Sequence, residues 1–281
     1  MSLPLQNADY SAETLSGVLT SSGEFLRALR WEGPDGGINR REIKKFRETV
    51  GFSSHILRII KDALYEDLVY LECSCGKSYV TFALNRILKE LYGMERTFYG
   101  VDVSGPLVEK CRRIAISLGY DNMSFTEGRT LEFCSPEDEK IDVVLALHAC
   151  DTATDEAIAK GILLGARYII VVPCCQNQLR GQIRPTQPLK GLTDFGPLLY
   201  RFADLLTEAL RAQVLKGAGY AVEIHEIVPP TVTPKNLVIT ARRLRSRKKR
   251  GMDSYRKLSR QLGVRSILED FLPELFHGED G

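Results

Sequence analysis

Short apolar runs alternate with longer amphipathic segments between residues 67 and 241, and this alternation predicts the fold. Each run has the length and the branched or aromatic side chains of a buried strand, and small or polar residues bound it. The predicted strands are 67–72, 97–102, 123–127, 141–147, 166–172, 219–225 and 236–241. Strands that alternate with helices favour a parallel sheet covered by helices on both faces. The chain is therefore predicted to have an α/β fold with a seven-stranded, mostly parallel sheet.

Helical spacing of apolar residues predicts the segments between these strands. The predicted helices are 78–91, 106–118, one that begins near Thr152, and 195–216. No helix is predicted between the last two strands, which are joined by the proline-rich segment VPPTVTPK (228–235). This ending favours an antiparallel hairpin at the edge of the sheet.

The segments on either side of this region have a different character. Residues 1–62 are predicted to form an N-terminal helical region, with apolar residues at helical spacing and a break at the glycine-rich sequence WEGPDGG (31–37). Residues 245–281 are predicted to form a basic tail with two short helices, and residues 63–244 the α/β domain between them.

Composition excludes several classes of protein. The chain has 281 residues, of which 44% are hydrophobic and 26% charged, and its formal net charge is only +2, as in ordinary globular proteins. No apolar stretch is long enough to cross a bilayer, and the N-terminus lacks the layout of a secretory signal. Seven cysteines, an odd number, favour free thiols in a reducing cytoplasm.

The ends of the first three strands predict a nucleoside site. The first strand ends in the turn ECSCGKS (72–78), where small residues permit a sharp turn and the approach of a ligand. The second strand ends in Asp102, which can accept hydrogen bonds from both hydroxyls of a ribose. The turn at 128–130 follows the third strand. Because a dinucleotide fingerprint is absent, the pattern favours S-adenosylmethionine (SAM) over NAD; the alternative is that Asp102 only caps a helix.

Two further strand ends carry thiols. The fourth strand leads into ALHACDTATD (146–155), and the fifth into VVPCCQ (171–176). With the first turn, they place five cysteines at the ends of strands predicted to be neighbours, so that all five could face one cleft. These cysteines are Cys73, Cys75, Cys150, Cys174 and Cys175.

Four interpretations of these thiols compete. They pack as small hydrophobic side chains, or they bind zinc or an iron–sulfur cluster. Alternatively, one of them is a nucleophile that attacks C6 of a pyrimidine. In the last interpretation, the backbone of the Pro-Cys-Cys segment positions the acceptor group. The packing interpretation has the most weight, and no metal ligand is assigned.

The motifs as a set resemble a bacterial family of class I SAM-dependent methyltransferases, with a Rossmann-like fold, and more distantly eukaryotic tRNA ribose methyltransferases. The motifs are ECSCGKSYVTFAL, YGVDVS, ALHACDTATD, VVPCCQNQL, LTEALRAQVLKGAGY and TPKNLVITAR, and the resemblance extends from about residue 39 to about residue 243. The cofactor-binding residues implied by the resemblance and the strand ends are Glu72, Cys73, Ser74, Gly76, Asp102, Val103, Gly128, Arg129, Thr130, Leu147 and His148.

The same resemblance suggests residues for methyl transfer. The candidate catalytic residues are His148, Asp151, Pro173, Cys174 and Cys175. His148 could accept a proton from the attacking group or be a structural histidine. The chain departs from the family pattern at Ser74, where glycine is usual, at Gln176, where histidine is expected, and at residues 231–232, where an acidic-histidine pair is usual.

Local charge suggests the class of acceptor. The segments 40–47 and 242–250 are basic, and seven of the nine residues in the second are Arg or Lys. Such segments either contact the phosphates of a nucleic acid or form solvated surface. Together with the tRNA-enzyme resemblance, they predict a cytoplasmic RNA methyltransferase acting on tRNA or rRNA. The alternatives are a protein or small-molecule methyltransferase, or a SAM-binding protein without transfer activity.

Overall fold

The computed structural model describes residues 10–136, 139–147, 149–174, 176–183, 189–227, 236–244 and 250–277. Within these residues, seven strands form one sheet in the order β3-β2-β1-β4-β5-β7-β6. The strands are β1 (Tyr70–Cys73), β2 (Phe98–Asp102), β3 (Met123–Glu127), β4 (Val143–Leu147), β5 (Tyr168–Val172), β6 (Tyr220–Glu226) and β7 (Leu237–Arg243). The sheet confirms the predicted α/β, Rossmann-like fold of class I methyltransferases.

Strand direction follows from the connections. β1 pairs in parallel with β2, and β2 with β3, whereas β7 pairs antiparallel with β5. β6 is the edge strand beside β7. The backbone N–H groups of Ile227 and Leu244 donate to the carbonyls of Asn236 and Gly219, each at 2.9 Å. Residue numbers fall along β6 as they rise along β7 between these two pairs, so the two strands run antiparallel. This confirms the predicted edge hairpin. Its connection, residues 228–235, lies outside the described residues.

The chain divides into two compact units, 1–143 with 226–236, and 144–225 with 237–281. Helices of the first unit are α1 (Ala12–Thr20), α2 (Gly23–Ala28), α3 (Ile43–Ile59), α4 (Tyr79–Tyr92) and α5 (Gly105–Ser117). Those of the second are α6 (Thr152–Leu163), α7 (Asn177–Arg180), α8 (Lys190–Thr193), α9 (Gly196–Gly217), α10 (Arg250–Leu262), α11 (Leu268–Phe271) and α12 (Pro273–His277). The domain bounds at residues 62 and 244 stay a prediction.

In the first unit, the N-terminal helices pack against the helix that follows the first turn of the sheet. Trp31 is fully buried, and its ring centroid lies 5.0 Å from that of Tyr79 and 5.4 Å from that of Phe46. Tyr79 is the first residue of α4. Burial of these aromatic rings therefore fixes the N-terminal helices to the start of α4.

In the second unit, α10 crosses α9 closely because both helices carry glycine at the crossing. A Cβ atom on Gly251 would lie 2.3 Å from the backbone nitrogen of Gly217. The C-terminal segment contains three described helices rather than the two predicted. Gly263, with φ +62°, ends α10, and Pro273 begins α12 separately from α11.

None of the described helices combines the length and the apolar character that a membrane span requires.

Candidate functional site

The turn after β1 is sharply bent in the structure. Ser74, Gly76 and Ser78 all have positive φ, of 49°, 56° and 53°. Nothing lies within 4 Å of the position that a Cβ would take on Gly76. A left-handed conformation costs a non-glycine residue about 1–2 kcal/mol, so the glycine expected at position 74 would be less strained there than Ser74. The predicted tight turn is confirmed.

Asp102 connects three loops at the carboxyl ends of β1, β2 and β3. Its Oδ2 accepts a hydrogen bond from the Gly76 N–H at 2.8 Å, and its Oδ1 accepts one from the Ser104 N–H at 2.9 Å. The Gly128 N–H donates to its backbone carbonyl at 3.0 Å. Each carboxylate oxygen keeps a further lone pair, so this half-buried side chain can also accept hydrogen bonds from ribose hydroxyls.

Glu72 lies fully buried beneath the same turn. Its Oε2 accepts hydrogen bonds from Ser78 Oγ at 2.5 Å and Thr81 Oγ1 at 2.7 Å. Burial raises the pKa of Glu72 to about 7, although the two hydroxyls oppose the shift. A carboxyl with a pKa near 7 loses its proton readily, and so becomes negative, when a cation such as the ammonium group of SAM approaches. Glu72 therefore fits the methionine end of SAM.

We expect the stability of the ligand-free protein to fall as the pH rises through 7. Because the folded-state pKa of Glu72 exceeds the value of 4.5 for an exposed glutamate, folding favours the protonated form, and this contribution is complete below pH 4.5 and lost above pH 7. The loss is about 3 kcal/mol. Glu72→Gln should flatten the pH dependence in urea denaturation between pH 5 and 8. An unchanged pH dependence in the variant would contradict the assignment.

Three thiols of the first unit, those of Cys73, Cys75 and Cys111, are packed in its interior. The fully buried Cys111 donates a hydrogen bond from Sγ to the Gly76 carbonyl at 3.4 Å. A hydrogen bond with Cys111, followed by burial, raises the pKa of Cys75. Cys73 is also fully buried, in β1. Burial therefore favours the packing interpretation for Cys73 and Cys75. The raised pKa of Cys75 also argues against Cys75 as a nucleophile, which needs a lowered thiol pKa.

The remaining predicted cofactor residues differ in exposure. Val103 is 70% exposed beside Asp102, and Arg129 is exposed, whereas Thr130 is buried. Leu147 is half-buried at the end of β4, in the second unit. His148 lies outside the described residues.

In the second unit, Asp151 connects the two strand ends that carry thiols. Its Oδ1 accepts hydrogen bonds from the N–H groups of Asn177 at 2.9 Å and Gln178 at 3.0 Å. Its backbone has φ 53° and ψ −121°, a conformation that costs a non-glycine residue about 1–3 kcal/mol. The Asp151 carboxylate thus caps α7, and its geometry fits a residue that positions the segment after β5.

A buried ionic network supports this connection. Arg211 of α9 donates to both carboxylate oxygens of Asp155, at 2.9 Å and 2.6 Å, and to the Asp151 carbonyl at 2.9 Å. Its Nη1 lies 3.7 Å from Glu208 Oε1, which accepts a hydrogen bond from Gln176 Nε2 at 2.6 Å. Burial alone would lower the pKa of Arg211, but Asp155 and Glu208 more than offset burial and raise it. Gln176, where a histidine was expected, belongs to this network.

Cys150 and Cys174 meet at the same place. Their Sγ atoms lie 2.9 Å apart, so one thiol donates to the other, and Cys150 is exposed while Cys174 is half-buried. Pro173 is buried, and Cys175 lies outside the described residues. The expectation that all five strand-end thiols share one cleft involves both units and stays a prediction.

We expect hydrogen peroxide to convert the Cys150–Cys174 pair into a disulfide. Sulfenylation of one thiolate releases hydroxide, and attack by the other thiol forms the S–S bond and expels water. Peptide mapping should find the link in the wild type and in Cys175→Ser, and not in Cys150→Ser. Exposed Cys134 is the internal control. Separate oxidation of both thiols without a link would contradict the geometry.

Among the described residues, no three side chains of the types His, Cys, Asp and Glu form a group able to hold a metal ion. His148 and Cys175 do not belong to the described residues. Six described cysteines form no disulfide, namely Cys73, Cys75, Cys111, Cys134, Cys150 and Cys174.

Sequence reasoning missed four residues of the two candidate sites, the turn after β1 in the first unit and the strand ends around Asp151 in the second. Thr81 and Cys111 support the first turn, and Glu208 and Arg211 support the second. Thr81 could have been found, because it lies one helical turn after Ser78 on the face toward β1. Arg211 carries a weaker signal, a charged residue between the apolar positions Leu210 and Val214 of a helix.

Comparison with known families gives one match. Residues 44–182, just under half of the chain, match the model of a methyltransferase domain family. This range begins in α3 and includes both strand ends that carry thiols. No curated protein matches the sequence.

Solved structures provide more distant similarities. Magnesium protoporphyrin IX methyltransferase from Synechocystis PCC 6803, with bound SAH, is 17% identical over 84% of this chain and 100% of that chain, with a TM-score of 0.47. A SAM-dependent methyltransferase from Aquifex aeolicus is 14% identical over 78% and 97% of the two chains, with a TM-score of 0.45. The Methanococcus jannaschii fibrillarin pre-rRNA processing protein is 12% identical over 64% and 67%, with a TM-score of 0.41.

Proposed function

We propose that this chain, a SAM-dependent methyltransferase whose residues 44–182 match the methyltransferase domain family, transfers its methyl group to RNA. SAM supplies a methyl group made electrophilic by the sulfonium, so the protein needs mainly to bind and orient the two reactants. Glu72 and Asp102 fit the ammonium group and the ribose of SAM. We assign the acceptor side to the strand ends around Asp151, Pro173 and Cys174, with His148 and Cys175 as further candidates.

A cluster of cations beside the cofactor turn carries the proposal for RNA. Lys77 belongs to the turn itself, and burial together with the nearby charges of Lys77 and Arg30 lowers the pKa of Lys110. Lys77 and Arg30 are exposed, and Lys110 is half-buried. Positive charges this close together repel one another, and a ligand with several negative charges removes this repulsion. The cluster therefore favours a polyanion as ligand.

The two basic segments contribute differently. In the segment 40–47, Lys44 and Lys45 lie 4.0 Å and 3.3 Å from the carboxylate of Glu48, so their charges are partly neutralised. Arg40, Arg41 and Arg47 of this segment are exposed and available to phosphates. In the segment 242–250, Arg243 donates to the Gly165 carbonyl at 2.7 Å. Residues 245–249 lie outside the described residues.

Transfer of a tritiated methyl group from SAM separates the possible acceptors. The enzyme is incubated with total RNA, with total protein and with a small-molecule extract, and each fraction is counted. We expect label in the RNA that ribonuclease removes, and Arg30→Glu/Lys110→Glu should raise the KM for RNA at least tenfold while leaving the Kd for SAM within threefold. Label in the protein or extract fraction alone would overturn the RNA proposal and leave the methyltransferase assignment intact. A tRNA or rRNA acceptor and a cytoplasmic location stay part of this proposal.

A further inference from the structure

A cavity of about 550 Å³ lies in the first unit between α1, α3 and the end of β6. The α3 wall contributes Arg47, Gly51, His55 and Arg58. These residues follow the spacing i, i+4, i+8 and i+11, which places them along one face of the helix. The volume falls within the range of about 300–1,000 Å³ typical of pockets for small organic ligands.

Charge is divided between the walls of this cavity. The cationic and imidazole groups, Arg47, His55 and Arg58, all belong to α3, whereas the carboxylates belong to α1 (Glu13) and to the end of β6 (Glu226). A ligand that matches this division has an anionic group on one side and hydrogen-bond donors on the other. A nucleotide has this arrangement, with a phosphate at one end and the N–H groups of a base at the other.

The two arginines are available to a ligand. Both are exposed, and within the part of the chain that the structure describes neither has a hydrogen-bond or ion-pair partner. Lys44 and Lys45 on the same helix are instead paired with Glu48. Arg47 and Arg58 are 11 residues apart, which is about 16 Å along a helix. A stacked strand rises about 3.4 Å per nucleotide, so this separation corresponds to phosphates about four or five nucleotides apart. The two guanidinium groups can therefore bind phosphates on either side of a nucleotide that lies in the cavity.

We propose that this cavity binds one nucleotide of the RNA substrate at a distance in sequence from the methylated nucleotide. Arg47 and Arg58 bind phosphates of the strand on either side of this nucleotide, and Glu13 and Glu226 accept hydrogen bonds from the base edge. This inference rests on the proposed RNA methyltransferase function and identifies a second contact for the same substrate.

Charge-matched double variants test the cavity. Arg47→Glu/Arg58→Glu is compared with Arg201→Glu/Arg260→Glu, which changes the net charge equally at exposed arginines that lie outside the two basic segments and do not line the cavity. Fluorescence anisotropy with labelled total tRNA and with a labelled single-stranded RNA measures Kd over a range of salt. We expect the first variant to weaken binding at least tenfold and to reduce the salt slope by about two phosphate contacts, and the second to weaken it less than threefold. Glu13→Gln/Glu226→Gln should alter the preference among homopolymer RNAs.

The outcomes distinguish the two proposals. If the wild type methylates RNA and both arginine variants bind it equally, the cavity inference is wrong and the proposed function stands. If the wild type transfers methyl groups only to protein or small molecules, the proposed function fails, and the cavity inference fails with it. Calorimetric titration with SAM confirms that each variant is folded, since the cavity residues are separate from Glu72 and Asp102.

Discussion

Replacement of Arg211 by methionine is expected to lower the free energy of unfolding by about 3–5 kcal/mol. The guanidinium is fully buried and bound to Asp155 through both carboxylate oxygens. Without it, the carboxylates of Asp155 and Glu208 remain buried without a cation, and the strained backbone of Asp151 loses a hydrogen bond to its carbonyl. Chemical denaturation followed by circular dichroism measures the change.

A matched variant and a double variant separate the ionic effect from loss of packing. Arg201→Met removes an exposed arginine from the same helix, and a surface change of this kind costs less than about 0.5 kcal/mol. Arg211→Met/Asp155→Leu removes both charges and should recover part of the lost stability, because the buried pair is replaced by apolar side chains. A loss below about 1 kcal/mol in the single variant would show that the network contributes little.

Asp102→Ala is expected to weaken SAM binding about 100-fold. The variant loses the acceptor for the Gly76 and Ser104 N–H groups and the acceptor proposed for the ribose hydroxyls. Two hydrogen bonds to a charged group are together worth about 3 kcal/mol or more, which corresponds to about two orders of magnitude in Kd. Isothermal titration calorimetry with SAM gives the affinity directly.

Two controls make the Asp102 result specific. Asp121→Ala removes an exposed carboxylate from the turn before β3 and should leave the Kd for SAM within threefold. Asp102→Asn keeps one acceptor oxygen and should give an intermediate affinity. If Asp102→Ala binds SAM like the wild type, the ribose assignment is refuted, while a loss of thermal stability without a change in affinity would limit Asp102 to holding the three loops.

The candidate sites of the two units depend on different features of the sequence. The cofactor turn depends on small side chains and positive φ at residues 74, 76 and 78, and these features are local. The strand ends around Asp151 depend on Arg211, which follows Asp151 by 60 residues. Substitutions in the cofactor turn should therefore change SAM affinity first, and substitutions in the Arg211 network should change stability first.

Alternation of apolar runs and helical segments determined the order of the elements. It located the seven strands, the edge hairpin and the turn at 72–78, because side-chain periodicity and small residues are properties of short segments. The structure differs from these predictions mainly at element ends, as in the start of β1 at Tyr70 rather than residue 67.

Only the tertiary structure decided which groups meet. The pairing of Cys150 with Cys174, the capping of α7 by Asp151 and the buried pair of Arg211 with Asp155 join residues 24 to 56 positions apart. No local pattern encodes such contacts, since they depend on how the strand ends and α9 pack. The sequence also could not predict the raised pKa of Glu72, because burial in the folded protein causes it. A carboxyl at the same position in an exposed turn would be ionised.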